Sequence, residues 1–215
     1  MTAAFAILIP VNRLDRAKGR LASLLTADER VALALATFTA VVAAARGSGE
    51  PVYVLTNDSR IGTTPGVTIL GEDDALRGLN AQLEAAIRGI EAPEGGLLIL
   101  HADLPLATSE AIGALVNAAP SAPSVTLVRS TDGGTNAMLL RPPRRFPLAY
   151  GFGSYALHIA AAKAAFMAVH TVESPTLALD LDTPDDLHAL LATAAGAATP
   201  AGKVVSAALA RAETT

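Results

Sequence analysis

"LILHADLPLA", residues 98–107, opens as an unbroken apolar run and stops on a carboxylate, Asp103, two residues before a proline. With Gly95 and Gly96 just ahead of it, the run predicts a strand buried on both faces, and Asp103 falls at its carboxyl end. Working outward, the same grammar repeats. "AFAILIPV" (4–11), "PVYVLTND" (51–58) and "VTILG" (67–71) read as strands. Between them "TADERVALALATFTAVVAAARG" reads as a long helix, opened by a Thr26/Glu29 capping box and stopped near Gly47.

Further along, the periodicities predict helices over 79–92, 108–118 and 154–168, strands over 124–129, 136–140 and 176–181, and a helix with Thr183 as N-cap and Pro184 at its first position. Strands and helices alternating at this spacing predict an α/β fold, a mixed, mostly parallel sheet with helices on both faces. Its core is expected over about 5–195, with 196–215 a short amphipathic helix that frays; no linker divides the chain. In such sheets ligands gather beyond the carboxyl ends of the strands, where strand order switches.

Composition narrows the chemistry. Hydrophobic residues make up 51% and aromatics 4%, so the core must be close-packed aliphatics. The absence of cysteine excludes disulfides, thiolate metal sites and a cysteine nucleophile. A net charge of −4 supplies no general field for nucleic acid or anionic lipid, so any anion must be bound locally. The start "MTAAFAILIPV" lacks the pattern of a secretory signal, and the apolar stretch Val31 to Ala45 is shorter than the ~20 residues of a membrane span, so a soluble cytoplasmic protein is expected.

Four groups of residues could carry chemistry. Asp103 ends one predicted strand, and "LALDLDTPDD" ends another with Asp180 and Asp182, two apart and so on one side of it. Three carboxylates at strand ends call for a cation, most simply Mg²⁺ with its preference for oxygen ligands; the other reading makes Asp182 or Thr183 a helix cap and Asp103 a turn residue. "NRLDRAKGR" sets Arg13, Arg16, Lys18 and Arg20 directly after the first strand, either as a phosphate loop or as a solvated helical turn. "STDGGTNAMLL" brings Thr135 and Asn136 after a Gly-Gly turn, which is also an ordinary hairpin signal.

The fourth group, "YGFGSYALH", puts Gly151 and Gly153 before Ser154, a natural N-cap with anion-binding amides. Ser154 and His158 lack the elbow and orienting carboxylate of a nucleophile and base. Asn80 could cap a helix or read a base. No Walker A loop and no G-x-G-x-x-G follows a strand.

"IPVNRLDRAKGRLA", "GLNAQLEAA", "HADLPL", "GGTNAMLLRPP", "GFGSYALH" and "LDLDTPDDL", in this order over about residues 6–193, resemble the guanylyltransferases of coenzyme F420 biosynthesis. The resemblance implies a glycosyltransferase-A-like nucleotidyltransferase fold. It also implies attack by a phosphorylated three-carbon acid on the α-phosphate of GTP, with phosphoenolpyruvate as first choice and 2-phospho-L-lactate or 3-phospho-D-glycerate as alternatives.

It further implies Mg²⁺ on Asp103, Asp180 and Asp182, and the acid's carboxylate and phosphate on Thr135, Asn136, Gly151 and Ser154. GTP would meet Pro10, Val11, Lys18, Arg20 and Asn80. A deazaflavin transferase would be the downstream partner, and a homodimer is open to the chain. Asn12 and Gly19 depart from the Lys and Ser of similar sequences, and "LVRSTDGG" lacks their Pro-Asp before the turn. A molybdopterin nucleotidyltransferase and a noncatalytic nucleotide-binding protein are more distant readings.

Overall fold

The computed structural model describes residues 4–91 and 93–214. The strands are β1 (Ala6–Pro10), β2 (Val52–Leu55), β3 (Thr68–Leu70), β4 (Leu97–Leu100), β5 (Ser124–Arg129), β6 (Thr135–Arg141) and β7 (Ala168–Thr171). They form one sheet in the order β3-β2-β1-β4-β6-β5-β7. All pairings are parallel except those of β6, which runs antiparallel to both β4 and β5. The chain moves outward from β1 through β2 to β3 and then returns to place β4 on the other side of β1. That reversal is the switch point, and the ends of β1 and β4 open there. Because β6 is antiparallel, its first residues come to the same edge, with Ala137 opposite Leu100.

The helices are α1 (Ala27–Gly47), α2 (Leu79–Gly89), α3 (Ser109–Ala118), α4 (Ser154–Ala164), α5 (Pro175–Ala178), α6 (Pro184–Leu191), α7 (Ala194–Ala198) and α8 (Pro200–Thr214). Strand alternation divides the core. Ile7 and Ile9 face α1 and α3, whereas Ala6 and Leu8 face the side of α2 and α4. The Thr26/Glu29 capping box is present, satisfying orphan N–H groups at the start of α1. By length and composition α1 could cross a membrane, but Leu33, Phe38, Val41 and Ala45 pack one face of it into the core.

Three expectations are corrected. Residues 175–178 are a helical turn, not a strand: Pro175 starts it at a position where the missing N–H is harmless, and Leu179 to Asp182 run on outside the sheet. The place beside β5 is taken instead by β7, because α4 ends at Ala164 and Phe166, at φ 55, turns the chain out of the helix. The helix predicted over 79–92 ends at Gly89 in the structure, and residue 92 lies outside the described residues.

The last segment does not fray among the described residues. Leu33 of α1, Leu190 of α6 and Val205 of α8 are fully buried together, each such side chain contributing roughly 1.5–3 kcal/mol at most. The α7–α8 corner also requires a residue without a side chain at Gly196, where a Cβ would lie 2.0 Å from the Leu190 carbonyl oxygen.

Candidate active site

Beyond the end of β4, the His101 N–H donates to the Asn136 carbonyl at 3.0 Å, which locks the exit of β4 to the entry of β6. Asp103 follows in the turn. Asp180 and Asp182 arrive on the extended segment after α5, and one oxygen from each of the three carboxylates lies within 4.8 Å of the others. The sequence had placed these two aspartates on a strand; a non-strand segment brings them to the same point. The Asp186 carboxylate holds that segment by accepting from the N–H groups of Asp182 (3.0 Å) and Thr183 (2.7 Å).

Lys18 lies among these carboxylates. Its backbone is left-handed (φ 57), which costs a non-glycine residue roughly 1–2 kcal/mol. This geometry aims the ammonium inward, where Nζ donates to Asp103 Oδ2 at 2.7 Å and to Asp182 Oδ1 at 3.0 Å. Burial opposes the charge on Lys18, yet the two carboxylates outweigh it and raise its pKa. Asp103 is held below the usual carboxylate range: burial pushes it up, and Lys18 and His101 more than reverse that. Asp180, with no lysine, is pushed up to about 7 by burial and then by Asp103; only the Asn136 amide, 3.3 Å from Oδ1, pulls the other way.

Oxygen donors alone, gathered this closely, fit a hard divalent cation. Asp103 Oδ1 supports that fit, since it is buried without a hydrogen-bond partner.

On one side of the carboxylates a cleft of about 370 Å³ is lined by Pro10 at the end of β1, by Val11 and Asn12 just after it, and by Arg16, Lys18 and Arg20 from the first loop. The loop forms two short 3-10 turns, Leu14–Arg16 and Gly19–Leu21, rather than one helix. Arg13 turns away to pair with Asp15. Buried Asp58 anchors the loop, accepting from the Leu14 N–H at 2.8 Å while Arg60 grips its two oxygens. Asn80 stands apart from this cleft. Its amide accepts from the Tyr150 N–H (2.8 Å) and donates to the Tyr150 carbonyl (3.0 Å), which ties α2 to the loop before α4.

On the other side, at the start of β6, Thr135, Ser154 and His158 are buried together. Gly153 (φ 66), rather than Ser154, is the N-cap of α4. Ser154 is the first helical residue, and its hydroxyl donates to Thr135 Oγ1 at 3.3 Å. Thr135 stands between Ser154 and His158, so no serine–histidine pair forms. Asn136 donates to the Ala178 carbonyl and to Asp180, joining this side to the carboxylates. Gly151 (φ 139) lies in the exposed turn before α4.

Two histidines were missed as site residues. His101 is visible inside "HADLPL"; its Nε2 is buried without a partner, burial lowers its pKa, and its ring centroid lies 5.1 Å from that of Tyr150. His158, held down to about 4 mainly by burial, had no sequence signal to name its partners.

A sequence model of the family described as "Guanylyl transferase CofC like" matches residues 5–201. The chain belongs to this family. It is 38% identical over 195 residues to the phosphoenolpyruvate guanylyltransferase of Rubrobacter xylanophilus, covering 88% of this chain and 94% of that one. It is 36% identical to the 2-phospho-L-lactate guanylyltransferase of Methanoregula boonei, over 83% of this chain and 78% of that one.

Among solved structures, a candidate nucleotide-diphospho-sugar transferase of Desulfovibrio desulfuricans G20 has the same fold, with TM-score 0.73, 14% identity and 96% of each chain covered. Rv0371c of Mycobacterium tuberculosis H37Rv, solved in complex with manganese, matches with TM-score 0.56 at 18% identity over 89% of this chain and 100% of that one. The CofC-like chain thus has the nucleotidyltransferase fold that its motifs predicted.

Proposed function

We propose that the protein transfers GMP from GTP to phosphoenolpyruvate and releases pyrophosphate, in the cytoplasmic synthesis of coenzyme F420. The observation that carries this reading is the arrangement at the switch point: a carboxylate cluster with a basic cleft on one side and a neutral, buried hydroxyl pair on the other. Relatives named for phosphoenolpyruvate, at 38% and 40% identity, favour that acid. Relatives named for 2-phospho-L-lactate, at 36% and 37%, make it the second reading.

The chemistry asks little of acids and bases. A phosphate monoester, with its second pKa near ~6, is already largely dianionic at neutral pH. One of its oxygens attacks the α-phosphorus of GTP, and the bond to the β-phosphate oxygen breaks as pyrophosphate leaves. The protein must bring two anions together and offset their repulsion.

Lys18 and Arg20 meet the GTP phosphates at the mouth of β1, with Pro10 and Val11 forming the floor beneath the nucleoside. Thr135, Asn136, Gly151 and Ser154 hold the acid. Asp103, Asp180 and Asp182 hold Mg²⁺, which when bound supplies charge neutralisation at the reacting phosphates. The product passes to a downstream transferase that moves the acid moiety onto a deazaflavin.

The test is pyrophosphate release by the purified protein with Mg²⁺ and GTP, offering phosphoenolpyruvate, 2-phospho-L-lactate and 3-phospho-D-glycerate in parallel. Release with phosphoenolpyruvate is expected; release with another acid alone renames the acceptor, and silence with all three overturns the reading. Asp103→Asn should lower turnover by about 100-fold or more while leaving the circular dichroism spectrum unchanged. Near-normal turnover by that variant would remove Asp103 from the reaction.

A further inference from the structure

The buried trio of Thr135, Ser154 and His158 has an order that its hydrogen atoms determine. The backbone N–H of Ala149 lies 3.0 Å from His158 Nε2. A backbone N–H can only donate, so Nε2 must offer its lone pair. Burial keeps the ring neutral above a pKa of about 4, and its single N–H proton therefore sits on Nδ1. Nδ1 is 3.0 Å from Thr135 Oγ1 and so donates to it.

Thr135 Oγ1 and Ser154 Oγ are 3.3 Å apart, and one hydroxyl hydrogen suffices for that contact. Whichever hydroxyl donates, the other keeps a hydrogen with no acceptor inside the trio. Thr135 and Ser154 are each only 2% exposed, so that hydrogen has little access to water, and leaving it unsatisfied is costly. A ligand oxygen satisfies it, and an anionic oxygen does so most strongly. The opposite tautomer would set Nε2–H against the Ala149 N–H and direct the Thr135 hydrogen back to the ring.

We propose that His158 is a positioning residue which, anchored by the Ala149 N–H, orders the Thr135–Ser154 hydroxyl pair so that it presents a hydrogen to an anionic oxygen of the acid substrate. This rests on the reading of that hydroxyl pair as part of the acid's site. His158 touches no reacting atom; by donating to Thr135 Oγ1 it closes the ring as an acceptor and leaves one hydroxyl hydrogen of the pair for the ligand.

The first measurement is a long-range proton–nitrogen spectrum of the ¹⁵N-labelled protein at neutral pH, with the signals of His158 assigned by their loss in His158→Phe. A protonated Nδ1 with a bare Nε2 is expected; a protonated Nε2 overturns the inference whatever the enzyme's activity. The second measurement is steady-state kinetics of His158→Phe, Thr135→Val and the double variant with the acid that the wild type uses. Each single change should raise the KM for the acid about tenfold, leave the KM for GTP within about twofold, and give a double variant little worse than either alone.

An unchanged acid KM, or equal rises for acid and GTP, would make His158 a packing residue and overturn the proposal. Should His158→Phe fail to fold, the His158 signals are assigned by elimination from the losses in His101→Phe, His170→Phe and His188→Phe, and the tautomer with the kinetics of Thr135→Val and Ser154→Ala decides it: a protonated Nδ1 with acid-specific rises of similar size supports it, and a protonated Nε2 or unchanged acid KM values overturn it. A wild type inactive with every acid would sink the functional reading, while the tautomer would still be read from the spectrum.

Discussion

In the proposed reading each of the two sides of the carboxylate cluster holds an anion, and they do so by opposite means. On the side of β1 the groups are charged and satisfied by one another: Lys18 by Asp103 and Asp182, Arg13 by Asp15, Arg60 by Asp58. On the side of β6 they are neutral, buried and ordered by the backbone, as the chain from Ala149 through His158 and Thr135 to Ser154 shows. Charge pairs can be exchanged, so a triphosphate can take over cations that the free protein spends on its own carboxylates. A hydroxyl network wired to an N–H keeps its geometry and suits discrimination among small acids that differ by a few atoms. One side is therefore built to rearrange, and the other to stay as it is.

The largest effect that would test this contrast is expected from Lys18→Met. With the ammonium gone, Asp103 and Asp182 face each other uncompensated. The variant should lose about 2 kcal/mol of stability in a chelator, a value kept modest because Asp182 is 41% exposed. Mg²⁺ should restore that loss and raise the melting temperature more than it does in the wild type. Turnover should fall about 100-fold through the lost contact with the phosphates. If the variant melts in chelator exactly where the wild type does, the Lys18 pairs are incidental and the charged side is not built on exchange.

A smaller effect separates the two sides kinetically. Asp58 lies outside the cleft lining yet holds its loop through Leu14 and Arg60. Asp58→Ala frees the first 3-10 turn, and the KM for GTP should rise about tenfold as the loop's bound geometry loses its pre-organisation. The KM for the acid should not move, because no bond of Asp58 reaches β6 or α4. Parallel rises in both constants would mean that the loop and the β6 side are one mechanical unit.

The sequence exposes some of this and hides the rest for physical reasons. Apolar runs such as Leu97–Leu100 must be buried strands, so the sheet and its helices were readable, and Asp103 stood out because it interrupts such a run. "LALDLD" misled because alternation is a property of any extended chain, whereas a strand also needs a neighbour. The neighbouring position beside β5 belongs to β7, whose mostly exposed Ala168–Thr171 carries little apolar signal. The carboxylates still met, since geometry at residues 180 and 182 needed extension and not pairing. The Ala149–His158 contact, the Leu14–Asp58 anchor and the Asn80 tether to Tyr150 went unread because their partners lie 9, 44 and 70 residues apart. No local pattern encodes such a partner.

A last effect concerns pH and tests the neutral side alone. His158 titrates near 4 in the folded chain because burial, and then His101, oppose its charge; in the unfolded chain it titrates near the ordinary ~6.5. Above that ordinary value both states hold a neutral ring, and the full stabilisation is present. As pH falls, the unfolded chain takes up the proton first, so stability is lost between about 6.5 and 4 and the loss levels off once the folded ring also charges. The expected size is about 3 kcal/mol.

His158→Phe keeps a ring between Phe146 and Tyr150 but cannot titrate. The difference in unfolding free energy between wild type and variant, followed by urea titration at a series of pH values, should therefore shrink across that window. Asp103, Asp180 and the other carboxylates are common to both proteins and cancel in the difference. A difference that stays flat from pH 7 to pH 4 would mean that the His158 ring charges without penalty. The β6 side would then carry a group as ready to change its charge state as those beside β1, and the contrast between the two sides would not hold.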